Sequence, residues 1–206
     1  MTLDPNDLDP RDAYRLLISS VVPRPIAWVS TICADGSLNL APFSFFNAIG
    51  GQPPTIMLSV SRRAGEDKDT LRNIRERREF VLHIVDEELA EKMNVTSGDY
   101  PHGDSEFERA GLATAKSCVV AAPRVADAAI AMECRLVQLV PIGEGVNTIV
   151  IGQVLRYHVR DGLLRDGYLV DATLLKPVAR LGGEEYATIG RVFTMPRPRV
   201  AETQGR

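Results

Sequence analysis

The sequence predicts a mainly β protein, an antiparallel barrel with short helices at its periphery. Three observations carry this. Several segments alternate apolar and polar residues with period two. Turn signals rich in glycine separate them, notably Asp35-Gly36, Gly143-Glu144-Gly145 and Asp161-Gly162. The helical patterns are few and short, and the tally is six or seven strands with about three helices.

The elements follow in order. Asp9-Pro10 opens a short helix carrying Tyr14, Leu16, Leu17 and Ile18. Ile26 to Ile32 is a strand, Asp35-Gly36 turns the chain, and Leu38 to Phe46 returns as the second strand. Pro53-Pro54 punctuates. From Thr55 to Ser61, Ile56, Leu58 and Val60 share one face of a third strand. Arg62 to Lys68 is a polar loop, and Asp69 or Thr70 can cap a helix that places Leu71 and Ile74 on one side. Phe80 to Val85 is a strand. Asp86 can cap a helix to about Asn94, and Ser105 a shorter one that Gly111 stops. Ile130 to Leu136 alternates strictly, and Thr148 to Val159 is a long strand. The tail from Gly182 has little periodicity and is expected to be irregular and draped over another surface. The whole reads as one domain, 1–206, with its core in about 14–181 and an extension in 182–206.

Composition narrows the function. The chain has 206 residues, 45% hydrophobic and 25% charged, with a formal net charge of -3. That balance argues against a nucleic-acid groove. No apolar run approaches the ~20 residues of a membrane span. The acidic start, MTLDPNDLDPRDAYR, has no apolar core of a signal peptide. Cys33, Cys118 and Cys134 are far apart and odd in number, which fits a reducing cytoplasm and buried thiols rather than disulfides or nucleophiles. His83, His102 and His158 have no metal-ligand spacing, so no metal is expected. Neither GxGxxG nor GxxxxGK[ST] occurs.

Three stretches carry candidate chemistry: Ala41 to Asn47, Leu58 to Arg63, and Lys68-Asp69-Thr70. A helix N-terminus presents free N–H groups and partial positive charge, so it suits a phosphate. Lys68, Thr70, Ser61 and Arg62 add charge and hydroxyls. A flat ring fits against the Ser44-Phe45 backbone with Asn47 at its edge. A phosphate at one end and a ring at the other describe a mononucleotide such as FMN. The same residues also suit a plain helix cap, a solvated loop and core aromatics.

The ordered set RPIAWVST, DG, NLAPFSFFN, PPTIMLSVS, KDTLRNI and EFVLHIV, with ARLGGEEY and RVF late in the chain, resembles the flavin reductase-like, FMN-binding split-barrel family. This group includes the reductase component of nitrilotriacetate monooxygenase and flavoredoxin. The resemblance runs from about Tyr14 to Pro198. It implies a six-stranded Greek-key split barrel, a homodimer, and FMN at the subunit interface. It also implies a cytoplasmic NAD(P)H-dependent flavin reductase that supplies reduced FMN to a partner monooxygenase. The alternatives are a direct reductase of a small aromatic and a flavin carrier. By the same resemblance Ser30, Thr31, Ser44, Phe45 and Asn47 lie by the ring. Ser59, Ser61 and Arg62 approach the ribityl chain and phosphate. Lys68 and Thr70 hold the phosphate, Asp69 shapes the turn, and residues near Asn94 to Ser97 come from the second subunit. One departure stands out. Short members of the family carry Gly-Asp-His before the late strand, where this chain has Gly145-Val146-Asn147-Thr148. His158 is the one histidine later on that strand.

Overall fold

The computed structural model describes residues 1–63, 65–143 and 145–198. Glu144, in one predicted turn, lies outside them. The main sheet is antiparallel throughout. Its strands are β1 (Ala27–Ile32), β2 (Leu38–Phe43), β3 (Phe46–Gly51), β4 (Pro54–Ser61), β5 (Glu79–Ile84), β6 (Ile130–Ile142) and β7 (Asn147–Val159). Their order is β2-β1-β5-β6-β7-β4-β3. The sheet therefore holds seven strands rather than six. The single strand expected from Leu38 to Phe46 breaks at Ser44-Phe45, and its halves form the two opposite edges. Two local causes fit the break. Pro42 cannot donate to a ladder, so it belongs on an edge. The Phe45 carbonyl accepts from the Ser59 N–H at 2.8 Å, which turns the chain across to β4.

The curled sheet encloses an apolar core. Val29, Leu58, Val60, Phe80, Leu82 and Val150 are fully buried there, capped by Leu71 and Ile74 of the second helix. The alternation read from the sequence places these residues inward. A second cluster, including Trp28, Leu40, Met93 and Phe107, lies on the outer face. The buried Trp28 Nε1 donates to Thr96 Oγ1 at 2.8 Å, so its one polar atom is satisfied.

The helices are α1 (Pro10–Ser20), α2 (Asp69–Arg77), α3 (Ala90–Val95), α4 (Glu106–Arg109) and α5 (Ala172–Leu175). Asp9 caps α1 by accepting from the Arg11 N–H, with Pro10 in the first turn. Asp86 accepts from the Leu89 N–H and opens a 3-10 turn that leads into α3. Ser105 occupies the cap position of α4 but makes no cap bond, and its buried hydroxyl has no partner among the described residues. The four-residue α5 was not expected from the sequence; Asp171 caps it. The tail is more regular than expected. Tyr186–Thr188 pairs with Val178–Arg180, which pairs with Arg24–Pro25. Phe193 and Met195 beyond it are 66% and 79% exposed.

His83 on β5 is fully buried. Its Nδ1 lies 2.8 Å from the Trp28 carbonyl, and the Val125 N–H donates to Nε2 at 3.0 Å. These partners demand the neutral ring with the proton on Nδ1. Burial, aided by Arg124 and His158, pushes the group down to about 4 against the Trp28 carbonyl bond. The unfolded chain therefore binds a proton in the window from 6.5 down to about 4 that the folded chain refuses. Stability should fall by about 3 kcal/mol as pH drops through that window. Buried Asp86 and half-buried Glu106, both raised above the ordinary carboxylate range by desolvation, act in the opposite sense. The measurement is therefore the difference between wild type and His83→Gln in urea unfolding at pH 7 and pH 4, with the steeper loss expected in wild type.

Candidate functional site

The first turn of α2 is open. Lys68 stands at its cap position in an extended conformation, and no side chain caps the helix. This corrects the expectation that Asp69 or Thr70 would cap it. Asp69 is already inside the helix, and its Oδ1 meets Arg72 at 2.9 Å and His102 Nδ1 at 3.1 Å. Thr70 is buried beneath it. The turn faces a cavity of about 280 Å³ lined by Asn39, Pro42, Arg63, Lys68, Thr70 and Tyr100, among others. Carboxylates line it too, but most are engaged. Asp99 pairs with Arg63 at 3.1 Å, Asp67 with Arg62 and Arg75, and Glu106 accepts from the Leu40 N–H. Lys68 is the lining cation with no carboxylate partner among the described residues. Free helix amides, an unpaired ammonium and a hydroxyl form a donor set that suits a phosphate.

A buried amide network supports this turn. Asn39 Nδ2 donates to Thr31 Oγ1 at 3.1 Å and to Thr70 Oγ1 at 2.9 Å. Asn73 Nδ2 donates to Thr31 Oγ1 at 2.9 Å and to Cys33 Sγ at 3.3 Å. Thr31 thus ties β1, β2 and α2 together below the cavity floor. Sequence reasoning missed Asn39 and Asn73. The available signal was an amide between two leucines on a strand and another on the apolar side of a helix.

A second cavity, about 520 Å³, lies on the other side of Pro42 and Phe43. The two hollows share Pro42, Phe43 and Ser97, so they meet. The larger one reaches Ser44 at the strand break, and α1 and the Arg180 strand wall it. Arg24 forms part of that wall. Its guanidinium reaches the carbonyls of Ile18, Val21 and Leu181, approaches Ser44 Oγ at 3.5 Å, and lies 6.0 Å over the Phe45 ring. Gly182 lets the end of α1 pack against this wall, because a Cβ there would meet Ser19 Cβ at 2.9 Å.

Of the residues singled out from the sequence, Ser44, Lys68, Asp69 and Thr70 line the hollows. Thr31 sits beneath them. Ser30 is buried and donates to the Pro123 carbonyl. Phe45 packs under Arg24, and Asn47 is exposed on β3, bonding the Ala48 N–H. Ser59 and Ser61 pair with Ile149 and Asn147 along β7. Arg62 Nε donates to Asp67, and its guanidinium covers Gly145. Ser97, expected from a second subunit, lines both hollows of its own chain.

Tertiary structure also brings Cys118, Glu133 and His158 together, with one ligand atom of each within 4.8 Å of the others. Cys118 is exposed, against expectation, because its turn wraps the buried Glu133. Glu133 accepts from His158 Nε2 and from the N–H groups of Cys118, Val119 and Val120. Burial pushes Glu133 up, yet these four bonds outweigh it and hold the carboxyl at about 2. They also fill the acceptor sites a carboxylate has. His158 is thereby committed at Glu133, away from the two hollows.

The antiparallel sheet thus curls into a split barrel, with an open helix N-terminus beside two joined hollows. Residues 18–175 match the model of the flavin reductase like domain, and the chain belongs to that family. Nitrilotriacetate monooxygenase component B from Bacillus cereus superposes with a TM-score of 0.92 at 41% identity, covering 95% of this chain and 98% of that one. The 2-nitrobenzoate 2-nitroreductase of Pseudomonas fluorescens superposes at 0.89 and 32% identity over 100% of both chains. A protein described as a flavin reductase with a split barrel domain, from Shewanella frigidimarina, superposes at 0.84 and 23% identity, over 96% and 100%, which speaks to the fold alone. Among the described residues no helix is long and apolar enough to cross a membrane.

Thr31→Val keeps the side-chain shape and removes the oxygen that receives both amides. The expected loss is about 1–3 kcal/mol of folding stability, read from the urea unfolding midpoint. An unchanged midpoint would show that the network does not carry the α2 turn.

Proposed function

We propose that this protein binds FMN with its phosphate at Lys68 and Thr70 and its ring toward Ser44, and works as an NAD(P)H-dependent flavin reductase. The observation that carries this reading is the uncapped α2 N-terminus, with Lys68 unpaired, opening into a hollow continuous with the strand break. When bound, FMN would supply a two-electron acceptor for the hydride of NAD(P)H. The chain's own residues bind and orient. Lys68 and the free amides offer charge-assisted donors. Asp69 fixes His102 and Arg72 at the rim. Thr31, through Asn39, holds the Thr70 oxygen in place. Ser59 fixes the Phe45 carbonyl, which keeps the ring-side backbone rigid.

Reduced FMN supplied to a partner monooxygenase is the role we favour, in keeping with the monooxygenase component among the similar structures. A second reading, direct reduction of a small aromatic, draws on the absent Gly-Asp-His and on the similar nitrobenzoate reductase. We further propose a homodimer in the cytoplasm. Tyr14, Leu16 and Leu17 of α1 and Phe193 and Met195 of the tail are exposed apolar side chains that a second copy would cover.

Two experiments test this. Lys68→Ala and Thr70→Ala should each weaken FMN binding by about 1–3 kcal/mol in a fluorescence titration. Unchanged affinity in both would remove the phosphate assignment. Anaerobic stopped-flow absorbance of FMN-loaded protein should show rapid bleaching with NADH or NADPH. Tight binding without bleaching would instead favour direct substrate reduction or electron carriage.

A further inference from the structure

Arg11, Arg15, Arg24 and Arg180 all line the larger hollow, and among the described residues no carboxylate lines it. Arg15 is paired with Asp12 at 3.6 Å. Arg11, Arg24 and Arg180 have no carboxylate partner among the described residues. Arg24 is 6% exposed, and only neutral oxygens meet its charge. Burial lowers its pKa, Tyr14 raises it, and the like charge of Arg180 lowers it further. Arg180 spends its donors on the Tyr186 hydroxyl and the Gly183 carbonyl, and stacks 4.5 Å from the Tyr186 ring centre. Arg11 has no side-chain hydrogen bond of its own among the described residues. The buried charge of Arg24 has no counter-charge and would be offset by an anion in the recess, which the exposed Arg11 is free to contact.

The remaining walls say what kind of anion. Ile18, Ile26, Pro42, Phe43 and Met93 give an apolar face, and Tyr14 and Tyr186 give two rings. Such a wall suits an aromatic body, with guanidinium groups to receive a carboxylate at one end. The hollow adjoins Ser44, and the phosphate-suited turn lies at the far side of Pro42.

We propose that this arginine-lined end is a carboxylate subsite, and that the larger hollow accepts an aromatic monocarboxylic acid beside the flavin ring. Its meaning as a substrate site rests on the flavin reading above; the binding itself does not. Arg11 is the contacting cation, and Arg24 and Arg180 supply the surrounding positive field.

The test uses the full chain, with and without FMN, and benzoate as the probe against neutral benzamide. Calorimetry reads probe binding, and flavin fluorescence reads FMN binding separately. Benzoate should bind about tenfold or more tightly than benzamide. Arg11→Gln should remove most of that preference while FMN affinity stays within about twofold, because Arg11 lies outside the phosphate turn. Arg180→Gln provides a second variant, and Arg24→Gln is avoided because its three carbonyl contacts hold the wall. Equal binding of the two probes, or an Arg11→Gln variant that still prefers benzoate, overturns the proposal. So does an Arg11→Gln variant that loses affinity for FMN or NADPH instead, since the anion served would then be a nucleotide phosphate. Benzoate preference that persists in a chain unable to bind FMN upholds the subsite and removes only the flavin reading.

Discussion

The hydrogen bond from the Ser59 N–H to the Phe45 carbonyl is the contact on which the rest is arranged. A sheet that curls until both its edges come from one stretch of chain must bend that stretch where the edges meet. Here β2 and β3 are those edges, and Ser44-Phe45 is the bend. Fixing Phe45 to β4 lets the ladder stop on one side and resume on the other. The consequences reach outward. Pro42 and Phe43 divide the two hollows, Ser44 opens into the larger one, and Phe45 lies under Arg24. Arg24 in turn gathers the end of α1 and the Leu181 carbonyl onto the same seam.

The interior is not purely apolar, and its polar members have a common task. Loop backbone packed against a barrel brings N–H groups that need partners. Glu133 serves Cys118, Val119 and Val120, and His83 serves Val125. Asn39 and Asn73 serve the hydroxyls beneath α2. Glu133 and His83 thereby let two irregular segments sit close to the sheet with those N–H groups satisfied. The two hollows differ in charge for a related reason. Around the smaller one most charges are already paired, which leaves Lys68 and the helix amides. Around the larger one Arg24 and Arg180 meet only oxygens that carry no charge, and the Arg11 guanidinium meets none among the described residues.

Much of the fold was legible. Period-two alternation in Thr55 to Ser61 and Ile130 to Leu136 placed strands correctly, because in a half-buried strand the pattern is the packing. Asp9-Pro10 and Asp86 marked real helix starts, since their carboxylates have amides within one turn to receive. The single strand from Leu38 to Phe46 failed, because nothing local shows that a chain segment will serve two edges at once. The cap at Asp69 failed because the helix begins one residue earlier, with Lys68 at the cap position and Asp69 inside it, where its carboxylate meets Arg72 and His102. The short strand at Tyr186 was hidden because three residues are too few for a period, and its partner lies at Val178–Arg180. Cys118 looked buried by its apolar neighbours, yet in its turn the backbone N–H faces the buried Glu133 and the thiol is exposed.

By itself the sequence determined the mainly β architecture, most strand positions and the membership announced by its ordered motifs. It also marked Ser44, Lys68, Asp69 and Thr70 as candidates, because turn residues, alternation and helix-start chemistry act over a few neighbours. Only the tertiary structure decided that these four line joined hollows, that Thr31 supports rather than lines them, and that Arg11, Arg24 and Arg180 converge without a carboxylate. Arg11 and Arg180 are far apart along the chain, and their meeting depends on the strand pairing of Arg24–Pro25 with Ala179 and Arg180. Such convergence is set by register and packing between remote segments, which no local pattern encodes.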